Sequence, residues 1–229
     1  MTSLSVDLRD YFADQKVSNQ ILKSLNDRIV YCPILQNLRE ERDCGVIEDS
    51  AILFSNLNKE DRNEVFVYLG RILESVLTCL LASSFKVKKD RTSSGDVTIE
   101  DVIWEIKGTS GSNSWTGSTH ATKKEGDLIN FLGVGYGINK DADVFDILNG
   151  DAKIVNELFI GVFDKIKLIR KGSASDNSSR TQLYISVDDY DSVKNQVAWG
   201  NLAIPSGSLY KKDGTRKQNV KYLQLETAA

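Results

Sequence analysis

Apolar residues recur at helical spacing along the first 45 residues of the chain. The positions that carry this pattern are Leu8, Tyr11, Phe12, Ile21, Leu22, Leu25 and Ile29. Such spacing predicts amphipathic helices, with Ser18 and Asn19 as the N-cap region of one helix and Pro33 as a boundary. We expect these helices to brace the core, with a dimer surface as the alternative.

A longer amphipathic pattern begins at Asn58 and continues to Phe85. Its apolar positions are Val65, Leu69, Ile72, Leu73, Val76, Leu77, Leu80 and Leu81. The pattern predicts one long helix with a heavily buried end, and Gly70 is a candidate break. Glu74 stands among the apolar positions, where an ionised carboxylate is costly unless something satisfies it. Pairing with Arg71 and exposure to solvent are the structural alternatives to a functional contact.

Residues 95–108 read GDVTIEDVIWEIKG, which is two β-branched runs around the polar pair Glu100 and Asp101. This arrangement predicts a tight hairpin. Because side chains alternate along a strand, Glu105 and Lys107 are expected on one face and the residue between them on the other. If the hairpin brings Asp96 beside Glu105, two carboxylates and one ammonium meet in one patch, as in a divalent-metal site with a cation beside it.

The remaining segments alternate between strand and helix patterns. Strands are predicted at 85–88, 127–138, 158–169 and 181–187, and helices at 141–157 and 188–202. Interleaved strands and helices predict an α/β protein with a mixed central β-sheet flanked by helices. We expect a single domain with an N-terminal helical part (1–57), a catalytic core (58–170) and a C-terminal part with strands, a helix and a basic arm (171–229).

Asp96, Glu105 and Lys107 resemble the signature of the PD-(D/E)xK nuclease superfamily, which includes many type II restriction endonucleases, although Gly95 replaces the usual proline. The resemblance covers mainly residues 74–137 and implies a restriction-endonuclease-like core. It implies that Asp96 and Glu105 bind Mg²⁺, with Ile106 assigned to the same metal site. Lys107 would position or activate the attacking water, and Glu74 would be an auxiliary ligand. A similar triplet at residues 151–153 has no strand leading into it.

The implied function is sequence-specific, Mg²⁺-dependent hydrolysis of double-stranded DNA by a type II enzyme, which usually works as a two-fold homodimer. A structure-specific repair nuclease or junction resolvase is the first alternative. A non-catalytic DNA-binding or protein-interaction module is the second alternative. Such a module would not need Mg²⁺ to bind and would not cut DNA.

Two polar segments are candidates for DNA contact. Residues 108–127 are rich in Gly, Ser and Thr, and they are either a disordered surface loop or a loop that reads DNA. The basic arm near the C-terminus either contacts phosphates or forms a solvated hairpin. The candidate residues are Asn113, Ser114, Trp115, Thr116, His120, Lys123, Lys124, Lys211, Lys212, Arg216 and Lys217.

Composition and charge exclude few of these candidate functions. The 229 residues carry a net charge of −3, which argues against a purely electrostatic DNA binder but not against a metal-dependent nuclease. With three cysteines and one histidine, a Cys/His zinc site is not expected, and Cys32, Cys44 and Cys79 are expected to be free, buried thiols. No signal peptide or membrane span is apparent, so we expect a soluble cytoplasmic protein with no membrane partner.

Overall fold

The computed structural model describes residues 3–48, 50–89, 96–110, 118–119, 128–167, 181–182 and 197–199. The helices are α1 (Ser3–Ala13), α2 (Gln15–Ile29), α3 (Pro33–Asp43), α4 (Lys59–Leu81) and α5 (Val144–Asn149), with a short 3₁₀ turn at Phe54–Asn56. Among these described residues, no helix is both long and apolar enough to cross a membrane.

The described strands form one six-stranded sheet and one two-stranded sheet. They are β1 (Val87–Lys88), β2 (Val97–Ile99), β3 (Val102–Ser110), β4 (Ser118–Thr119), β5 (Leu128–Ile138), β6 (Val155–Lys167), β7 (Thr181–Gln182) and β8 (Val197–Trp199). The large sheet has the order β1-β2-β3-β5-β6-β8, in which β3 and β5 are parallel and the other neighbours are antiparallel. The α/β class with a mixed central sheet is therefore confirmed.

Side-chain caps set where the two principal helices begin. The Asp14 carboxylate accepts a hydrogen bond from the backbone N–H of Lys16 at 2.8 Å, so α2 begins there and not at Ser18 and Asn19. Asn58 caps α4 in the same way. The helix then runs for 23 residues without the break that Gly70 suggested.

Helices α1, α2 and α4 pack on one face of the large sheet. The strand residues that join the helices in this core are Val97, Ile99, Trp104, Ile106, Leu132, Val134, Tyr136, Val155, Leu158, Ile160 and Val162. Each aliphatic side chain buried in this way stabilises the fold by roughly 1.5–3 kcal/mol. A polar clamp supplements this apolar packing with directional hydrogen bonds. The Asn26 amide on α2 donates to the carbonyl of Val155 at 2.9 Å and accepts from its backbone N–H at 3.0 Å. The clamp joins α2 to the first residue of β6.

The opposite face of the sheet is also largely buried. Alternation along β5 and β6 places Phe131, Phe159 and Phe163 there, and all three are buried. The rings of Phe131 and Phe163 stack with centroids 5.3 Å apart. Burial on both faces explains why β5 is almost continuously apolar. It also means that a polar side chain on this face requires partners.

Two helix predictions are wrong in extent. The helix predicted at 141–157 is confined to α5, because Gly150 adopts φ 82° and ends it in a left-handed cap, and β6 begins at Val155. Within the helix predicted at 188–202, residues 197–199 form β8, which pairs with β6 at Ile160 and Trp199. Pairing with a long neighbouring strand outweighs local helical spacing here.

Other predictions fall partly outside the described residues. The strand predicted at 181–187 is described only at β7, and the chain from residue 200 onward lies outside the described residues.

All three cysteines are free, but only Cys32 is buried, whereas Cys44 and Cys79 are exposed. The burial expected for those two is therefore wrong.

Candidate active site

The hairpin at residues 96–107 forms as predicted. Glu100 and Asp101 have φ values of 46° and 63°, and a type I′ turn needs positive φ at both central residues. Positive φ is unfavourable for residues other than glycine, and contacts with strand β1 offset this cost. Glu100 accepts a hydrogen bond from the backbone of Lys86 at 2.7 Å, and the Lys86 ammonium lies 2.9 Å from the Asp101 carboxylate. The turn fixes a register in which Val97 pairs with Trp104.

This register brings Asp96 to the middle of β3. The backbone N–H of Asp96 donates to the carbonyl of Trp104 at 3.1 Å. Its Oδ2 atom accepts a hydrogen bond from the backbone N–H of Ile106 at 2.8 Å and one from the ammonium of Lys107 at 2.9 Å. The Asp96 carboxylate is therefore held in place by both the backbone and a side chain of β3.

Lys107 joins the two carboxylates. Its Nζ atom lies 2.9 Å from Asp96 Oδ2 and 3.0 Å from Glu105 Oε2. The side chains of Glu105, Lys107 and Asp96 are 4%, 17% and 26% exposed, so water screens these charges only weakly. Burial lowers the pKa of Lys107, but the two carboxylates outweigh burial and the pKa is raised above its usual value. Lys107 is therefore a cation at neutral pH.

The cluster lies on the sheet face opposite the helices. Glu105 is paired with Phe131 of β5, and Lys107 with Gly133, whereas the Ile106 side chain is buried in the helical core on the other face. A metal contact by Ile106 would have to come from its carbonyl oxygen, since the side chain has no ligand atom. The three residues predicted from the hairpin are thus brought together, with both charged side chains of β3 on the same face.

A residue that the sequence did not single out supports this end of β3. The Asn130 amide donates to the carbonyl of Ile103 at 3.1 Å and accepts from the backbone N–H of Lys165 at 3.2 Å. Asn130 lies at an irregularity in the pairing of β5 with β6, and Lys165 has φ 54°. An asparagine next to the apolar run of β5 is the only sequence signal, and its role depends on three strands meeting.

Glu74 has a different partner from the one the sequence suggested. Its Oε1 atom lies 2.6 Å from the ammonium of Lys89, which follows β1. The Glu74 side chain is partly exposed, so the ion pair satisfies a carboxylate that is not deeply buried. The Glu74–Lys89 ion pair links α4 to the residue after β1, the strand that braces the hairpin. The role of Glu74 as an auxiliary metal ligand stays a prediction.

The carboxylate pair is suited to a hard divalent cation. Within the described part of the chain, no three His, Cys, Asp or Glu side chains cluster as metal ligands. Mg²⁺ does not require three, because it is commonly bound through one or two carboxylates together with water and substrate phosphates. Asp96 and Glu105 both turn carboxylate oxygens toward one cation, the Lys107 ammonium. This oxygen donor set fits Mg²⁺.

The predicted DNA-contacting residues all lie outside the described residues. They are Asn113, Ser114, Trp115, Thr116, His120, Lys123, Lys124, Lys211, Lys212, Arg216 and Lys217. Within the polar segment 108–127, the structure describes residues 108–110, which are the end of β3 and pair with β5, and the two-residue strand β4, which pairs with β7. These parts of the segment are therefore paired strand and not an open loop.

No protein-family model matches the chain, and no curated protein matches it.

Proposed function

We propose that this chain is a Mg²⁺-dependent endonuclease that hydrolyses phosphodiester bonds of double-stranded DNA at specific sequences, as type II restriction enzymes do. The observation that carries the proposal is the position of the Lys107 ammonium, within 3.0 Å of carboxylate oxygens from both Asp96 and Glu105. Two acidic residues and a lysine on adjacent strands provide a cation-binding pair and a fixed positive charge. The resemblance of these residues to the PD-(D/E)xK signature supports the same conclusion.

Asp96 and Glu105 are the residues that would hold Mg²⁺. When bound, Mg²⁺ supplies a Lewis acid that neutralises charge on the phosphate and makes bound water more acidic. The Ile106 N–H restrains the Asp96 carboxylate, and the burial of Glu105 restrains the second ligand. Restrained ligands are what a preorganised catalytic site needs.

Lys107 acts in this proposal as a cation. Its raised pKa keeps the amine protonated, so it can donate hydrogen bonds and place positive charge where negative charge develops on the phosphate. It can also orient a water molecule for attack. It does not take a proton from that water while both carboxylates face it, because the ammonium form is the stabilised one.

Specificity and assembly follow from the same proposal. A duplex has two strands to cut, and each chain contributes this cluster once, so cleavage of both strands is expected from a two-fold dimer on a palindromic site. In this proposal, residues 113–116 supply hydroxyl and amide groups to the bases and phosphates, and the basic residues Lys211, Lys212, Arg216 and Lys217 supply cationic groups.

The proposal is tested by incubating the purified protein with phage-length duplex DNA, once with Mg²⁺ and once with chelator. Discrete fragments with Mg²⁺ alone are expected, and Lys107→Ala should abolish them. Lys86→Ala is the matched control, because it removes a Lys–Asp ion pair from the exposed end of the same hairpin. It should cut DNA at the wild-type rate.

The other outcomes separate the alternatives. A smear with Mg²⁺ would indicate a nonspecific or structure-specific repair nuclease. Intact DNA that is shifted on a gel under all conditions would indicate a binding module. Near wild-type cleavage by Lys107→Ala would show that the cluster does not catalyse the reaction.

A further inference from the structure

The charge balance of the Asp96–Glu105–Lys107 cluster has a consequence for metal binding. Glu105 is almost completely buried, and a buried carboxylate that loses its countercharge is strongly destabilising. Here an ammonium from the same strand lies between the two carboxylates. The cluster is therefore already neutralised in part by a cation that belongs to the protein.

A divalent cation would compete with this ammonium. Lys107 uses Oδ2 of Asp96 and Oε2 of Glu105, which are the oxygens turned toward a shared cation. A divalent ion bound to the same carboxylates would repel a positive charge that remained beside it. Lysine can withdraw, since its charge is compact and its four-carbon stem is flexible.

We propose that Lys107 is a built-in counter-ion of the metal site, which a divalent cation must displace from between Asp96 and Glu105. This inference rests on the proposed nuclease function and adds a regulatory property to it. In the metal-free protein the ammonium stabilises the two carboxylates. In the metal-bound protein it is released from them and becomes available to a substrate phosphate, so the catalytic cation is freed only when the metal is in place.

Lys107→Met tests the inference, since methionine retains much of the aliphatic volume without the charge. Binding of Mn²⁺ is measured by calorimetry in the absence of DNA. The variant is expected to bind Mn²⁺ about tenfold or more tightly than the wild type, because the metal no longer displaces an ammonium. Its melting temperature without metal should fall, and Mn²⁺ should raise that temperature more than it does in the wild type.

Two further variants give the measurement its contrast. Lys107→Arg keeps a positive charge beside both carboxylates, so its affinity for Mn²⁺ should be no higher than that of the wild type. Lys86→Met removes the ammonium from the exposed Lys86–Asp101 pair on the same hairpin, and its Mn²⁺ affinity should be unchanged. Tighter binding in Lys107→Met alone would support the inference.

Equal or weaker Mn²⁺ binding by Lys107→Met would overturn it. If that variant folds only when Mn²⁺ is present, the metal has replaced the ammonium and the inference stands. If the variant stays unfolded at saturating Mn²⁺, the metal does not replace the ammonium and the inference fails. If wild type and variant bind no Mn²⁺ and the wild type cuts no DNA, the proposed function fails too. If both bind Mn²⁺ equally and the wild type cuts DNA, only this inference fails.

Discussion

Gly108 lies directly against Leu73: a Cβ atom at position 108 would come within 2.9 Å of Leu73 Cδ2. The same atom would lie 3.1 Å from the ring of Tyr136. Leu73 is fully buried on α4, so its side chain has little room to withdraw. At the residue after Lys107, β3 thus lies so close to the helical layer that only glycine fits without displacement.

Gly108→Ala should therefore lower the free energy of unfolding by about 1–3 kcal/mol, the usual cost of overpacking a core. Chemical denaturation measures this change. Gly70→Ala is the control, since nothing lies within 4 Å of a Cβ at that helical position. It should raise stability by about 0.5–1 kcal/mol, because alanine favours the helix. Equal effects of the two substitutions would contradict the packing argument.

Substitutions in the Glu74–Lys89 ion pair test whether Glu74 has a structural role or is a metal ligand. Both side chains are partly exposed, so Glu74→Gln and Lys89→Gln should each change the free energy of unfolding by less than about 1 kcal/mol. If Glu74 has only a structural role, both variants should keep the wild-type rate of DNA cleavage. A loss of cleavage and of Mn²⁺ affinity in Glu74→Gln alone would instead identify Glu74 as an auxiliary ligand.

Lys88 is predicted to contact the DNA backbone. Lys88 is exposed and pairs with Thr98 of β2. Thr98 comes two residues after Asp96, so Lys88 lies on the same sheet face as Asp96. Lys88→Gln should weaken DNA binding whatever the sequence, and it should reduce the slope of log affinity against log salt by about 0.9. Binding is measured by fluorescence anisotropy in Ca²⁺. Lys23→Gln, on α2, should leave the slope unchanged, and an equal effect of both variants would exclude a specific contact by Lys88.

Tyr136 makes stability depend on pH in the alkaline range. Burial raises its pKa to about 12, against a usual value near 10. Between these values the unfolded chain loses the phenolic proton while the folded protein keeps it, so stability falls as the pH rises. The total loss is on the order of 2–3 kcal/mol. Urea denaturation at pH 8, 10 and 11 should show this fall in the wild type and a smaller one in Tyr136→Phe.

The hairpin of the candidate site was predictable because its determinants are local. Two β-branched runs around Glu100 and Asp101 set both the turn and the register, and side-chain alternation then put Glu105 and Lys107 on one face. The long helix α4 was predictable for a similar reason, since its apolar positions recur every three to four residues. In both cases neighbours in sequence supply the interactions that select the structure.

Only the tertiary structure decided the partner of Glu74. The hairpin predicted that Asp96, Glu105 and Lys107 meet, and the structure brings them together, but the pairing of Glu74 with Lys89 does not follow from spacing along the chain. The strand at Val197–Trp199 exists because β6 offers it an edge, and the packing of Leu73 against Gly108 depends on how α4 lies across the sheet. The sequence by itself determined elements whose stabilising contacts are local. Contacts between residues far apart in the chain depend on the assembled sheet and helices, which local patterns do not encode.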